Sequence, residues 1–238
     1  YSNNLDNIIK RLVASSTTFA HPLLEKRPEG KTAYIVIAAD RGLCGGYNQN
    51  VLRLARAEID QDEKQSSAIV IGSKGRDYFK RRGYGIREEY VDFGDLPDFI
   101  QARELARELM NMFTSHEFNK MHLVYTQFKS AISHKPMSVP LLPIEPAAGE
   151  EDHAEYIYEP SDNEVMKTLL PRFVETTIYR ALLEAKASEH GARMTAMGSA
   201  TDNAQEMIGK LTLSYNRARQ AAITKEISEI VGGADALK

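Results

Sequence analysis

The sequence has few of the features that would place it in several common classes of protein. Only one of its 238 residues is cysteine, so it can form no internal disulfide, which fits a reducing compartment. Its longest uninterrupted apolar run, residues 33–39, is far too short to span a bilayer. The formal net charge of −3 argues against binding nucleic acid through overall positive charge.

Residue patterns typical of metal or acid–base chemistry are also scarce. None of the six histidines lies at a spacing typical of metal ligands. The adjacent acids Glu150, Glu151 and Asp152 fall in a stretch that we expect to be a solvated loop. The residues therefore predict no catalytic carboxylate, metal or cofactor.

Proline is nearly absent from the last third of the chain, with Pro171 alone between residues 161 and 231, and turn residues return only at Gly232 and Gly233. Apolar residues recur there at helical spacing, which predicts one very long helix. At 1.5 Å per residue it would extend on the order of 100 Å, more than the preceding domain could cover. Its apolar stripe should therefore lie against something other than the rest of this chain.

The preceding residues predict an α/β domain. Residues 33–39, 68–71, 89–93 and 122–125 are predicted strands, and helices are expected between them, as in a parallel sheet of Rossmann-like type. Apolar spacing predicts a helix over residues 1–20, and four prolines predict a turn from residue 135 to 146 that leads through an edge segment. The predicted domains are residues 1–27, an N-terminal helix, 28–160, the α/β domain, and 161–238, the long helix.

A glycine-rich loop, residues 42–46, follows the first predicted strand. Such loops can bind phosphate through backbone N–H groups, but this one matches neither the dinucleotide fingerprint nor the P-loop. A structural or docking loop is the favoured interpretation, and a nucleotide-binding enzyme is kept as the alternative. Cys44 at a helix start could be a nucleophile, but no partner residue is placed by the sequence, so a packed thiol is favoured.

Two patterns stand out within the long helix. Small residues predominate from Ala187 to Ala204, which would let a neighbouring helix approach closely. Basic residues outnumber acidic ones further along, and this excess indicates either a solvated face or a surface that meets an acidic partner. The basic residues are Arg193, Lys210, Arg217, Arg219 and Lys225, against Asp202 and Glu206.

Specific strings of residues resemble a known family. Residues 40–48, Asp-Arg-Gly-Leu-Cys-Gly-Gly-Tyr-Asn, are similar to a loop motif of the gamma subunits of F-type ATP synthases, and residues 192–204 and 215–234 resemble their C-terminal signature. The resemblance implies a rotor without chemistry of its own. It implies an antiparallel coiled coil of N- and C-terminal helices, whose tip lies inside a ring of three alpha and three beta subunits. It also implies a foot domain beside the epsilon subunit and the membrane c-ring.

The resemblance further implies roles for particular residues. The foot-domain motif comprises Asp40, Arg41, Gly42, Cys44, Gly45 and Gly46. The positions that would meet the beta and alpha subunits are Arg193, Gln220, Thr224, Glu226 and Glu229. Most of the family's first helix is expected to be missing before Tyr1. The implied location is peripheral, on the cytoplasmic face of a bacterial inner membrane or the matrix face in an organelle.

Overall fold

The computed structural model describes residues 21–27, 30–62, 66–91, 93–145 and 162–235. The predicted N-terminal helix, the coiled coil that it would form and the predicted acidic loop lie outside the described residues. The described strands are β1 (Thr32–Ile37), β2 (Ser67–Ile71), β3 (Ile86–Tyr90), β4 (Lys120–Ser130) and β5 (Ser133–Leu142). The described α-helices are α1 (Tyr47–Gln61), α2 (Ser73–Lys80), α3 (Phe99–Thr114) and α4 (Asp162–Asp235).

The five strands form one mixed sheet in the order β3-β2-β1-β4-β5. β1 lies at its centre and pairs in parallel with β2, where Ile35 is opposite Ile69, and with β4, where Ile35 is opposite Leu123. All six residues of β1 are buried, as expected for a strand covered on both faces. The predicted α/β class is confirmed, and the parallel part of the sheet comprises four of its five strands.

The predicted turn at residues 135–146 is wrong, because most of this stretch is the edge strand β5, which pairs antiparallel with β4. Pro136 lies opposite Thr126, and Pro140 lies opposite His122. Proline lacks a backbone N–H, so a strand that contains it is restricted to an edge, where one side needs no donors. The prolines that suggested a turn are thus compatible with a strand, and the predicted edge segment is present.

Alternate residues of β1 face different helices. Tyr34 and Val36, together with Ala38 just after the strand, point to the face covered by α1, where they meet its Val51 and Ala55. The other face of the sheet is covered by α3 and by the beginning of α4. The residues of β1 on that side are Ala33, Ile35 and Ile37. Because successive side chains of a strand point to opposite faces, both faces of the sheet are apolar and both are covered by helices. The unit therefore has three layers, with the sheet between two layers of helices.

Helix α4 contains 74 residues and confirms the predicted long helix, with Pro171 inside it. The chain divides into two compact units, residues 1–194 and 195–238. Within the first unit, Met166, Leu170, Val174 and Ile178 have no exposed surface and belong to the same apolar cluster as the sheet. The expectation that the apolar stripe needs a partner outside this chain is therefore wrong for this part of α4. The predicted domain boundaries stay a prediction.

In the second unit the structure describes one stretch of helix, residues 195–235, which we call the exposed segment. Its side chains from Met197 to Ala234 are all exposed. Large apolar side chains are among them, and Ile208, for example, is 64% exposed. Among the described residues, no helix combines the length and apolar character needed to cross a membrane.

Candidate functional sites

The first candidate site is the loop of residues 40–46, which we call the glycine loop and which joins β1 to α1. Two of its residues have left-handed backbone angles, Leu43 with φ of 61° and Gly45 with φ of 55°. Glycine adopts this conformation without strain, whereas leucine rarely does. The Leu43 side chain is 74% exposed and therefore adds little packing. Its contribution to the shape of the loop comes from its backbone angle.

Asp40 binds the beginning of α2. Its carboxylate oxygen Oδ1 accepts hydrogen bonds from the backbone N–H and the hydroxyl of Ser73, both at 2.8 Å. The N-cap residue of α2 is Gly72, which has no side chain to satisfy the free N–H groups of the first turn. Asp40 therefore caps a helix from a distant part of the sequence, a structural role that accounts for its carboxylate.

Asn48, in the first turn of α1, holds the glycine loop against β1. Its Oδ1 accepts a hydrogen bond from the Ala39 N–H at 2.9 Å. Its Nδ2 donates to the Arg41 carbonyl at 3.4 Å and to the Cys44 sulfur at 3.2 Å. The sequence motif includes Asn48, but its bridging role depends on the folded loop and was not predicted.

Cys44 is a packed thiol. It is only 2% exposed and lies in a small apolar cluster with Ala39, Tyr47 and Ala192. Burial raises the pKa of the thiol, so the reactive thiolate is disfavoured. The geometry supports the packed thiol over the nucleophile.

Helix α4 meets the glycine loop through charged side chains. Glu189 is 2% exposed, and its two carboxylate oxygens bind two cations: Oε1 lies 2.7 Å from Arg193 Nη2 and Oε2 lies 3.1 Å from Lys186 Nζ. Arg193 also donates to the Gly42 carbonyl, at 3.3 Å from Nη2 and 3.4 Å from Nε. Burial, with a smaller effect of the Glu189 charge, raises the pKa of the nearby Tyr47 hydroxyl. The structure thus brings Arg193 together with the predicted loop residues.

The surroundings of the glycine loop do not suit a phosphate group. Cys44, Tyr47 and Ala192 fill its inner side. A cavity of about 160 Å³ lies beside it and has more carboxylates than cations in its lining, which disfavours an anion. Its lining residues are Asp40, Arg41, Gly94, Asp95, Lys186 and Glu189. Among the residues that the structure describes, no group of His, Cys, Asp or Glu could hold a metal ion.

The second candidate site is the exposed segment. Four of the predicted partner-contact residues, Gln220, Thr224, Glu226 and Glu229, are exposed on it. Gln220 and Thr224 are four residues apart and therefore share one face of the helix. Ion pairs within the helix join Glu206 to Lys210 at 2.5 Å and Lys225 to Glu229 at 3.7 Å. At such exposure these pairs contribute little to stability, which leaves their charges available to a partner.

The fifth predicted partner-contact residue, Arg193, lies in the first unit, where it binds Glu189 and Gly42. The contacts of all five with other subunits stay a prediction. Sequence reasoning did not single out Lys186 or Glu189. The spacing of Glu189 and Arg193, four residues apart, is a signal that could have identified the pair.

Comparison with known proteins gives one consistent result. The chain matches the family described as ATP synthase over residues 1–237. It is 51% identical to the ATP synthase gamma chain of Desulforamulus reducens over 240 residues, covering 100% of this chain and 84% of that protein. It is also 51% identical to the ATP synthase gamma chain of Moorella thermoacetica, with the same coverage of both chains.

Solved structures share the fold. A chain of the mitochondrial ATP synthase of Euglena gracilis, solved with OSCP, F1 and c-ring, has a TM-score of 0.67 at 17% identity and covers 99% of this chain and 88% of its own. A chain from the central stalk and c-ring of the Tetrahymena thermophila mitochondrial ATP synthase has a TM-score of 0.62 at 20% identity. The match covers 84% of the present chain and 85% of the Tetrahymena chain. From the full-length match in sequence, the chain belongs to the family of ATP synthase gamma chains.

Proposed function

We propose that the chain is the central-stalk rotor subunit of an F-type ATP synthase. It couples proton flow through a membrane c-ring to the conformational cycle of catalytic beta subunits. The observation that carries this function is the match to gamma chains over the whole sequence, at about half of all positions. The exposed segment supports it, because its side chains from Met197 to Ala234 are exposed and therefore available to contact other subunits.

The apolar side chains of the exposed segment support an enclosed position in the complex. Ile208 and Leu211 are more than 60% exposed, and Tyr215 and Ile230 are exposed to a similar degree. Apolar surface of this kind is unfavourable in water and marks sites of protein–protein contact. We assign this surface to contacts with the surrounding alpha and beta subunits.

The partners follow from the same assignment. The relatives of known structure come from assemblies described as central stalk with c-ring and as F1 with c-ring. For this chain we propose three alpha and three beta subunits around the exposed segment. We also propose the epsilon subunit and the c-ring as partners of the first unit. The chain would then be peripheral to the membrane, on the cytoplasmic face in a bacterium or the matrix face in an organelle.

The subunit is proposed to have no catalytic chemistry of its own. Each candidate group near the glycine loop has a structural use: Asp40 caps α2, Cys44 is a buried thiol of raised pKa, and Glu189 is bound by two cations. These contacts support a structural loop. They do not favour the alternative, a nucleotide-binding enzyme with a helical extension.

The first test replaces Gln220, Thr224 and Glu226 together with alanine in a reconstituted complex that contains alpha, beta and c subunits. Because these side chains are proposed to make contacts that depend on rotor angle, we expect ATP-driven proton pumping to fall at least about twofold, the effect of losing roughly 0.5 kcal/mol or more at an interface. Pumping is measured by quenching of a pH-sensitive dye in vesicles, with ATP hydrolysis recorded in parallel.

A matched control replaces the same three residue types on exposed positions of the helices around the sheet: Gln61, Glu104 and Thr114, each to alanine. The control complex should pump like the wild type. Normal pumping by the Gln220, Thr224 and Glu226 variant would show that the assigned contacts are wrong. Failure of the wild-type chain to co-purify with alpha and beta subunits would contradict the rotor function itself.

A further inference from the structure

Helix α4 is still enclosed just before it leaves the first unit. Ser188 is completely buried, Glu189 is 2% exposed and Ala192 is 8% exposed, whereas Met194 is 62% exposed. Residues 188–193, less than two helical turns, are the last stretch of α4 that the first unit largely covers. The side chains of this stretch contact two different parts of the unit.

One set of contacts is ionic and reaches the glycine loop. Arg193 bridges the Glu189 carboxylate and the Gly42 carbonyl, at 2.7 Å and 3.3 Å from Nη2. The loop carbonyl is held in place because the same loop is bound to α2 through Asp40 and to α1 through Asn48. A charge-assisted contact to a rigid loop resists displacement more than one to a mobile loop.

The other set is steric and reaches the turn between β4 and β5 and the adjoining strand. A side-chain carbon on Gly191 would lie 2.8 Å from the backbone oxygen of Ala131, closer than such atoms can approach. One turn earlier, the Ser188 hydroxyl donates a hydrogen bond to the Thr126 carbonyl at 3.2 Å. The small residues predicted to admit a neighbouring helix here admit the β4–β5 hairpin.

The two sets of contacts lie on different faces of α4. Glu189 and Arg193 are four residues apart and share one face, while Ser188 and Gly191 are three apart and share another, well over a quarter turn away. A helix held on one face alone can roll about its axis. Contacts on two faces oppose both rolling and sliding, because any such movement compresses one set or breaks the other.

We propose that residues 188–193, bound to the glycine loop and to the β4–β5 hairpin, form a torsional anchor that stops the rotor helix from turning in the sheet unit. Glu189 and Arg193 are its ionic positioning residues, and Gly191 is its steric one. The anchor rests on the proposed rotor function. It gives the glycine loop a mechanical role, because the loop would transmit torque between helix α4 and the sheet.

The test measures protons pumped per ATP hydrolysed in the reconstituted complex. Glu189→Gln leaves Arg193 and Lys186 without their shared anion, and Arg193→Gln removes the bridge to Gly42. We expect each variant to assemble with normal subunit content and to hydrolyse ATP, but to pump about half as many protons per ATP or fewer. The double variant should lose no more than the worse single variant, because both changes break one network.

Arg180 and Glu184 supply the matched control. They form an ion pair of the same spacing on the same helix, with Nε and Oε1 2.9 Å apart, outside residues 188–193. Arg180→Gln and Glu184→Gln should leave the proton-to-ATP ratio unchanged. Gly191→Ala keeps every charge and tests the steric contact, so the proposal remains testable should an ionic variant fail to assemble.

The outcomes separate the anchor from the rotor function. Suppose that the wild-type complex pumps protons. A normal number of protons per ATP in the Gly191 variant, and in every ionic variant that assembles, would then overturn the anchor but not the rotor function. An equal loss in the Arg180 and Glu184 controls would also overturn it, since the effect would then reflect general weakening of the helix. A wild-type complex that hydrolyses ATP without pumping would overturn the proposed function and the anchor with it.

Discussion

Single residues around the glycine loop act through backbone geometry as much as through their side chains. Gly72 has a φ of 94°, and a side-chain carbon there would lie 2.2 Å from the Ala38 carbonyl oxygen. This close approach lets the Lys74 N–H donate to the Ala39 carbonyl at 3.0 Å and brings α2 within reach of Asp40. A glycine at this position is thus part of how the loop is held.

We predict that Gly72→Ala destabilises the protein by more than about 2 kcal/mol, because alanine would suffer both the positive φ and the clash with Ala38. The measurement is urea unfolding of the purified chain, followed by circular dichroism.

The matched control for this prediction is Gly83→Ala. Gly83 also has a positive φ, 73°, but a side-chain carbon there would meet nothing within 4 Å. Its substitution should lower the free energy of unfolding by only about 1 kcal/mol, the cost of placing alanine at a positive φ. Equal losses in the two variants would show that the close approach at Ala38 has no energetic weight.

At the scale of elements, α4 has two environments. From Met166 to Ala185 most of its apolar side chains are part of the core under the sheet, whereas in the exposed segment similar side chains are exposed. The sequence pattern is alike in both parts, since apolar residues recur every three or four positions throughout. Periodicity therefore predicts the helix in both parts, but it does not distinguish the part that packs on the sheet.

Leucine-to-alanine substitutions separate the two environments. Leu170→Ala should destabilise the chain by about 2–5 kcal/mol, because it leaves a cavity at a fully buried position. Leu211→Ala, at a residue 63% exposed, should change the free energy of unfolding by less than about 0.5 kcal/mol. Urea unfolding of the two variants measures both values, and a large loss at Leu211 would mean that the exposed segment is packed in the free chain.

The strands show where local patterns mislead. The six buried residues of β1 form a continuous apolar run that predicts a central strand, and this is confirmed. Pro136 and Pro140 suggested a turn, yet they belong to β5. Proline forbids a strand in the middle of a sheet but not at its edge, and the position of a strand in a sheet is decided by pairing between distant segments.

At the scale of the whole molecule, the predicted family, fold class and gamma-subunit function are confirmed by the full-length match and by the shared fold. Enclosure of the exposed segment by partners remains a proposal, and it leads to a prediction about hydrogen exchange. In the free chain, backbone amides of residues 195–235 should exchange faster than those of 166–190, because only the latter are covered by a core.

In the assembled complex the amides of residues 195–235 should become protected, since the proposed ring of alpha and beta subunits would surround them. Amides of 166–190, protected by the core in both states, serve as the internal control. The measurement is hydrogen–deuterium exchange by mass spectrometry, with peptides from both ranges compared in the free and assembled states. Unchanged exchange of 195–235 on assembly would contradict the enclosed position.

The sequence by itself determined the central strand, the long helix and the family, because these depend on local runs, local periodicity and strings of residues that need no folding to be read. Only the tertiary structure decided that Asp40 caps α2, that Arg193 binds the Gly42 carbonyl and that Gly191 admits the β4–β5 turn. Each of these contacts joins residues at least 33 positions apart. Their approach is decided by how the sheet pairs and how the helices pack on it, which no local pattern encodes.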